Sequence, residues 1–180
     1  MLEVGSSLSR SPLNFQHGNL LCCLDRPGSA RSGHPPNYRL FMSDFDYVLA
    51  VIDHWINKFI DCGANALRFE EIVGVGVWLL EAEVNNGGFD QYYFNSAGDL
   101  AVPTVDALPI IGASRTASLL AAANSEFPNL VPPANRDARQ RALDEIRDSA
   151  RFGALETEFY QGLEDLTALL ALHFRNTPSA

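Results

Sequence analysis

The segment Glu83–Asp99 reads EVNNGGFDQYYFNSAGD. It holds four amides (Asn85, Asn86, Gln91, Asn95), three glycines (Gly87, Gly88, Gly98) and four aromatics (Phe89, Tyr92, Tyr93, Phe94). Asn and Gly tolerate the positive φ that stops a helix, whereas the aromatics gain most by burial. The segment therefore predicts tight turns folded into a core. Asn85-Asn86-Gly87-Gly88 is expected to stop a helix running from Phe69 to Val84. A short aromatic helix, Phe89 to Phe94, follows, and Asn95-Ser96-Ala97-Gly98 breaks it. A buried amide without a partner is costly, and helix ends leave orphan donors and acceptors. The economical reading is that Asn86, Gln91 and Asn95 satisfy those ends while Phe89, Tyr92 and Tyr93 fill the core. Gln91 and Asn95, four residues apart, share one face.

The surrounding pattern is helical throughout, with no credible strand alternation. Ser43 caps a first helix with Asp46 three residues on, and Phe45, Val48, Leu49, Ile52, Trp55, Ile56 and Phe59 follow at helical spacing. Gly63 ends it. Gly74 and Gly76 weaken the second helix intrinsically, which predicts close packing there. Asp99 is expected to cap a fourth helix to about Ile111, with Pro103 in its first turns. A fifth runs from Arg115 to Glu126, and Pro128, Pro132 and Pro133 form a connector. Asn135 caps a sixth over residues 136–151, polar and exposed. The seventh spans 155–174, with Leu155, Phe159, Leu163, Leu166, Leu170 and Phe174 inward. The expected fold is all-α, a single compact bundle of six to seven helices over residues 42–180. Residues 1–41, rich in Ser, Pro, Gly and Arg without apolar period, read as a flexible N-terminal tail. Met42, the only internal methionine, sits where the ordered pattern begins. That placement suggests Met42 as the natural start and residues 1–41 as an over-extension of the gene.

Charge bounds the function. The 180 residues carry a net charge of −9 with a pI near 4.8. Such a balance excludes a basic nucleic-acid footprint and disfavours anionic membranes. The acidity is uneven: residues 42–114 hold eleven acids against only Lys58 and Arg68. Such a surface suits solubility, and it also suits a basic partner. Three cysteines, Cys22, Cys23 and Cys62, make no disulfide framework and fit a reduced, cytoplasmic protein. No apolar run reaches the length of a membrane span.

The run Glu83-Val84-Asn85-Asn86-Gly87-Gly88-Phe89, then Gln91-Tyr92, then Asn95-x-x-Gly98, resembles the signature of the DNA-mimic protein family. Ala107-Leu108-x-x-Ile111-Gly112-Ala113 and the late Phe159-Tyr160 before a leucine-rich helix match it too, so the resemblance covers roughly residues 67–174. It implies a small helical protein whose named relatives are acidic dimers that imitate duplex DNA. Their carboxylates stand where phosphates would, on a transcription factor's DNA-binding face. The motif residues are then scaffold, and the partner-binding acids lie outside them. Candidates are Asp44, Asp46, Asp53, Asp61, Glu70, Glu71, Glu81 and Glu83. B-DNA carries a charge per about 1.7 Å of axis, a density that eleven acids on one chain fall short of; a homodimer would double the length of the acidic surface and improve the match.

Catalytic readings are weaker. The histidines are scattered, no HExxH or paired-cysteine pattern occurs, and neither metal nor cofactor is expected. Cys62 sits near a helix C-terminus, where the dipole opposes thiolate formation. Glu81 and Glu83 lie near the amides and suggest acid–base chemistry. Two apart on a helix, however, they diverge by about 160°. The expected function is non-enzymatic binding of a basic DNA-binding protein, without direct contact to nucleic acid or membrane. The alternatives are a helical regulatory or toxin-neutralising interaction module, and an enzyme with a polar pocket near Asn86, Gln91 and Asn95.

Overall fold

The computed structural model describes residues 42–177; the tail expected over residues 1–41 lies outside the described residues. Seven α-helices form there, and no strand occurs among the described residues: α1 Asp44–Cys62, α2 Phe69–Phe94, α3 Ala101–Ala107, α4 Ser114–Asn124, α5 Arg136–Ile146, α6 Phe152–Phe159 and α7 Leu166–Asn176. The all-α bundle expected from the sequence is the fold observed.

The start of α1 follows its sequence signal. Ser43 Oγ accepts the backbone N–H of Asp46 at 3.1 Å, satisfying one of the orphan donors of the first turn. Val48, Ile52 and Phe59 are buried as their spacing predicts, and Tyr47 joins them. Phe45 differs: it lies in the first turn, 53% exposed, against the half-buried Trp78 with ring centroids 5.0 Å apart.

α2 is the axis of the bundle, packing against α1, α3, α5, α6 and α7. It is apolar on most sides, as a central helix must be. A Cβ on Gly74 would meet Ile52 and Trp55 of α1, and a Cβ on Gly76 would meet Thr104 of α3. The two glycines thus trade helix propensity for close approach of two neighbouring helices. The expected stop at Asn85–Gly88 takes the form of a break inside α2. Gly87 is extended at φ −161°, and Gly88 sits at φ 73°, ψ −172°, a region open in practice only to glycine.

Beyond the break, Phe89, Tyr92 and Tyr93 are fully buried. Tyr93 meets Phe127 at 4.7 Å and Phe152 at 5.6 Å between ring centroids, and Phe89 lies 6.0 Å from Phe152. Aromatic pairs at such separations add about 0.5–1.5 kcal/mol each beyond their burial. This cluster holds α2, the connection that follows α4, and α6 together. A smaller apolar group, Phe59, Leu67, Val75 and Leu100, closes the other end of the α1–α2 contact.

Three expected elements are corrected. Asp99 does not cap a helix: it lies in a 3₁₀ turn, Ser96–Leu100, and its carboxylate accepts from Arg136 and Arg139. The sixth helix is not wholly exposed: α5 ends at Ile146 and buries Arg139, Ala142 and Leu143. The seventh divides into α6 and α7. Gly162 takes φ 61° between them, and Asp165 starts α7 by accepting the N–H of Ala168 at 2.9 Å. Leu163, expected inward, falls in this connection and is exposed.

Candidate partner-binding surface

The broken helix of the amide–glycine segment is stitched by residues from elsewhere in the chain. Phe89 begins the second half of α2, and its N–H needs an acceptor. Glu156 Oε1 of α6 supplies it at 2.8 Å. At the far end, Arg139 of α5 is fully buried. Its Nε donates to Tyr93 O at 2.8 Å, and its Nη2 donates to Asn95 O at 3.2 Å and to the Asp99 carboxylate. Its Nη1 donates to Pro133 O at 3.0 Å. One guanidinium thus satisfies the C-terminal carbonyls of α2 and fixes the proline connector. Tyr93 Oη donates to Asn124 Oδ1 at 2.7 Å, and Asn124 Nδ2 donates to Ala101 O.

The amides do not cap these ends, contrary to expectation. Gln91 Nε2 and Asn95 Nδ2 both donate to Glu83 Oε2, at 2.6 and 2.9 Å. Glu83 is therefore the acceptor at the centre of the knot. Asn85, Asn86 and Gly87 are exposed at the break, whereas Gly88, Tyr92 and Gly98 are buried. A Cβ on Gly98 would press on the Arg139 guanidinium, which explains glycine there. Arg139, Glu156 and Asn124 were not singled out from the sequence. The Asp99–Arg139 pairing spans forty residues, and no local pattern announces it.

The structure sorts the eight candidate acids into two groups. Asp46, Asp53, Asp61 and Glu70 are exposed, with no basic side chain within ion-pair distance among the described residues. The other four are engaged. Asp44 pairs with Arg175 at 2.7 Å. Glu81 Oε2 accepts from Thr167 Oγ1 at 2.9 Å, and Glu83 serves the knot. Glu71 is 3% exposed. It holds Lys58 Nζ at 2.9 Å and the backbone N–H of Arg68 at 2.8 Å. Burial raises the proton affinity of Glu71, but Lys58 and the Arg68 N–H outweigh it, and its pKa falls below the usual carboxylate value. Glu81 goes the other way: burial dominates, the Thr167 bond only partly offsets it, and nearby Asp165 adds repulsion.

Asp46, Asp53 and Asp61 line up on α1. The 3.6-residue repeat places them, with Asn57, in one sector about 80° wide. From Asp46 to Asp61 the stripe runs about 22 Å along the axis. Asn57 Nδ2 donates to Asp53 O at 2.9 Å and to its carboxylate Oδ2 at 3.4 Å; a neutral amide leaves the stripe's charge intact.

A cavity of about 140 Å³ lies where α2, α4, α6 and the α6–α7 connection meet, lined by Glu81, Asn85, Arg115, Glu158, Tyr160 and Glu164 among others. Glu164 is occupied in capping α4, accepting the N–H groups of Arg115 and Thr116 at 3.0 and 2.8 Å. Asn86, Gln91 and Asn95 do not line this cavity. Among the described residues no three His, Cys, Asp or Glu side chains gather as a metal site, and no helix is long and apolar enough to cross a membrane.

Among curated proteins and among solved structures, none matches the chain. A family model described as DMP19-like protein matches residues 65–177. That span takes in the broken α2, the Arg139 hub and the Glu156 stitch, and the chain belongs to the DMP19-like protein family.

Proposed function

We propose that this protein binds a basic, DNA-binding protein through the acidic stripe of α1, whose carboxylates occupy the cationic surface that DNA phosphates would otherwise fill. One observation carries the reading. Residues 42–177 hold twenty acids and nine Lys or Arg side chains. All of these cations except Arg141 are paired with an acid. Among the described residues the surplus negative charge is therefore not neutralised, and Asp46, Asp53, Asp61 and Glu70 carry part of it to solvent. Membership of the DMP19-like family, which is not a known enzyme family, is consistent with this role.

Complementary charge acts mainly on encounter rate and specificity, and salt screens it. The test is partner capture from the native cytoplasm at about 0.05 M and about 0.5 M salt. Wild type is compared with a triple variant, Asp46→Asn, Asp53→Asn and Asp61→Asn. The expected result is a DNA-binding protein held by wild type at low salt, released at high salt and lost by the variant. Capture of no DNA-binding protein at low salt, or equal capture by the variant, refutes the reading.

A further inference from the structure

The acidic stripe of α1 has an apolar neighbour. Counting round the helix, Ile60, Leu49, Ile56 and Phe45 occupy an adjoining sector about 60° wide on the side away from α7. Phe45 and Ile60, near the two ends of α1, are 53% and 51% exposed. Leu49 and Ile56 are half-buried between them, and Trp78 of α2 extends the strip beside Phe45. Duplex DNA offers its partners phosphates and base edges, and a surface that only copied phosphate charge would have no use for such a flank. A solvent-facing helix would ordinarily carry polar residues there.

We propose that this face of α1 seats one amphipathic, basic helix of the partner. Its Lys or Arg side lies along Asp46, Asp53 and Asp61, and its apolar side lies on Phe45, Ile60 and the edge of Trp78. The inference rests on the acidic-stripe reading and adds the partner's shape and its apolar half. Charge complementarity selects this occupant: the stripe and the flank run side by side for the length of α1, the pattern a helix-on-helix contact requires. A second copy of this chain is a poorer fit, because it brings its own surplus of acids to the stripe.

The experiment uses the full chain and three labelled peptides of about eighteen residues, matched to the length of α1. One is a helix with Arg and Leu segregated to opposite flanks; one has the same composition scrambled; one is oligo-arginine. Affinities come from fluorescence anisotropy, helicity of each protein variant from circular dichroism, and oligomeric state from sedimentation. The segregated peptide is expected to bind about ten-fold tighter than the scrambled one. The double variant Phe45→Ser, Ile60→Ser should lose that advantage while keeping its affinity for oligo-arginine. Equal binding of segregated and scrambled peptides overturns the inference, as does an unchanged preference in the double variant. A wild-type dimer that the double variant converts to monomer also overturns it, by assigning the flank to self-contact. Asp53→Asn with Asp61→Asn should weaken all three peptides; if it weakens none, the acidic stripe itself fails, which separates the two readings.

Discussion

Glu156 Oε1 accepts the backbone N–H of Phe89 at 2.8 Å, across 67 residues of chain, and it does so in the space that a side chain at position 88 would fill. The break in α2 and its repair are one device. Gly88 gives the chain its turn and leaves room for the carboxylate. The carboxylate then caps the helix half that restarts at Phe89 and aims Tyr92 and Tyr93 into the core.

Gly88→Ala is therefore expected to be far more harmful than Gly87→Ala. Gly88 occupies a glycine-only backbone region, and a Cβ there displaces the Glu156 cap; the two effects together destabilise by about 3 kcal/mol. Gly87 has an ordinary extended φ, and its Cβ would meet the Gln91 side chain from its Cβ to its Oε1, so that Gln91 must turn aside and give up its bond to Glu83, but no cap is lost. Urea unfolding of the two variants should separate them by about 2 kcal/mol.

Arg139→Leu should be among the most damaging single changes. It removes every donor from the buried hub and strands Tyr93 O, Asn95 O and part of the Asp99 carboxylate. Loss of one member of such a buried, bonded pair costs about 3–5 kcal/mol. Lysine cannot replace the fork, since the bonds run from three separate nitrogens. Thermal unfolding of Arg139→Lys should resemble Arg139→Leu more than wild type. Arg136→Ala, which removes an exposed contact to the same Asp99, should change stability by less than about 1 kcal/mol.

The two inner acids of α2 should respond to pH with opposite signs. Glu71 has a lowered pKa, so the folded state favours its charged form. Its contribution is complete above the unfolded carboxylate value and disappears as pH falls through the folded one. Glu71→Gln should be less stable than wild type at pH 7, with the gap closing in acid. Glu81 has a raised pKa, so the folded protein holds its proton more tightly than the unfolded chain. Stability then declines as pH rises through that window. Glu81→Gln should match or exceed wild type at pH 7, with the difference vanishing below the unfolded value. Guanidinium unfolding at pH 4 and pH 7 reads both.

The outer acids should behave differently again. Asp53→Asn and Asp61→Asn remove charge from solvent without breaking an ion pair among the described residues. Each should shift unfolding free energy by no more than about 0.5 kcal/mol. A larger loss in either variant would show that the stripe supports the fold, and would count against a surface kept for a partner.

Much of the fold was legible because its signals are local. The apolar spacing of α1, the caps Ser43 and Asn135 and the stop at Gly87-Gly88 each act within about one helical turn. The division between α6 and α7 was also written locally, in Gly162 and in Asp165 followed by Ala168. A leucine pattern running through both elements hid it. The acidic candidates were harder to sort, because an acid's residue type and helical position do not reveal whether a base sits above it. Glu71 differs from Glu70 by one residue, yet one faces Lys58 and the other faces solvent.

By itself the sequence determined that this chain is helical, where most of its helices start and stop, and that it carries an excess of negative charge. Those properties follow from backbone propensity, apolar periodicity and composition, all read within a few residues. Only the tertiary structure decided that Glu83 gathers the amides, that Glu156 and Arg139 cap the two ends of the broken segment, and that Asp46, Asp53, Asp61 and Glu70 meet no basic side chain among the described residues. The reason is distance along the chain: hydrogen bonds and ion pairs form between groups that packing brings together, and residues forty or sixty-seven apart carry no mark of each other until the helices dock.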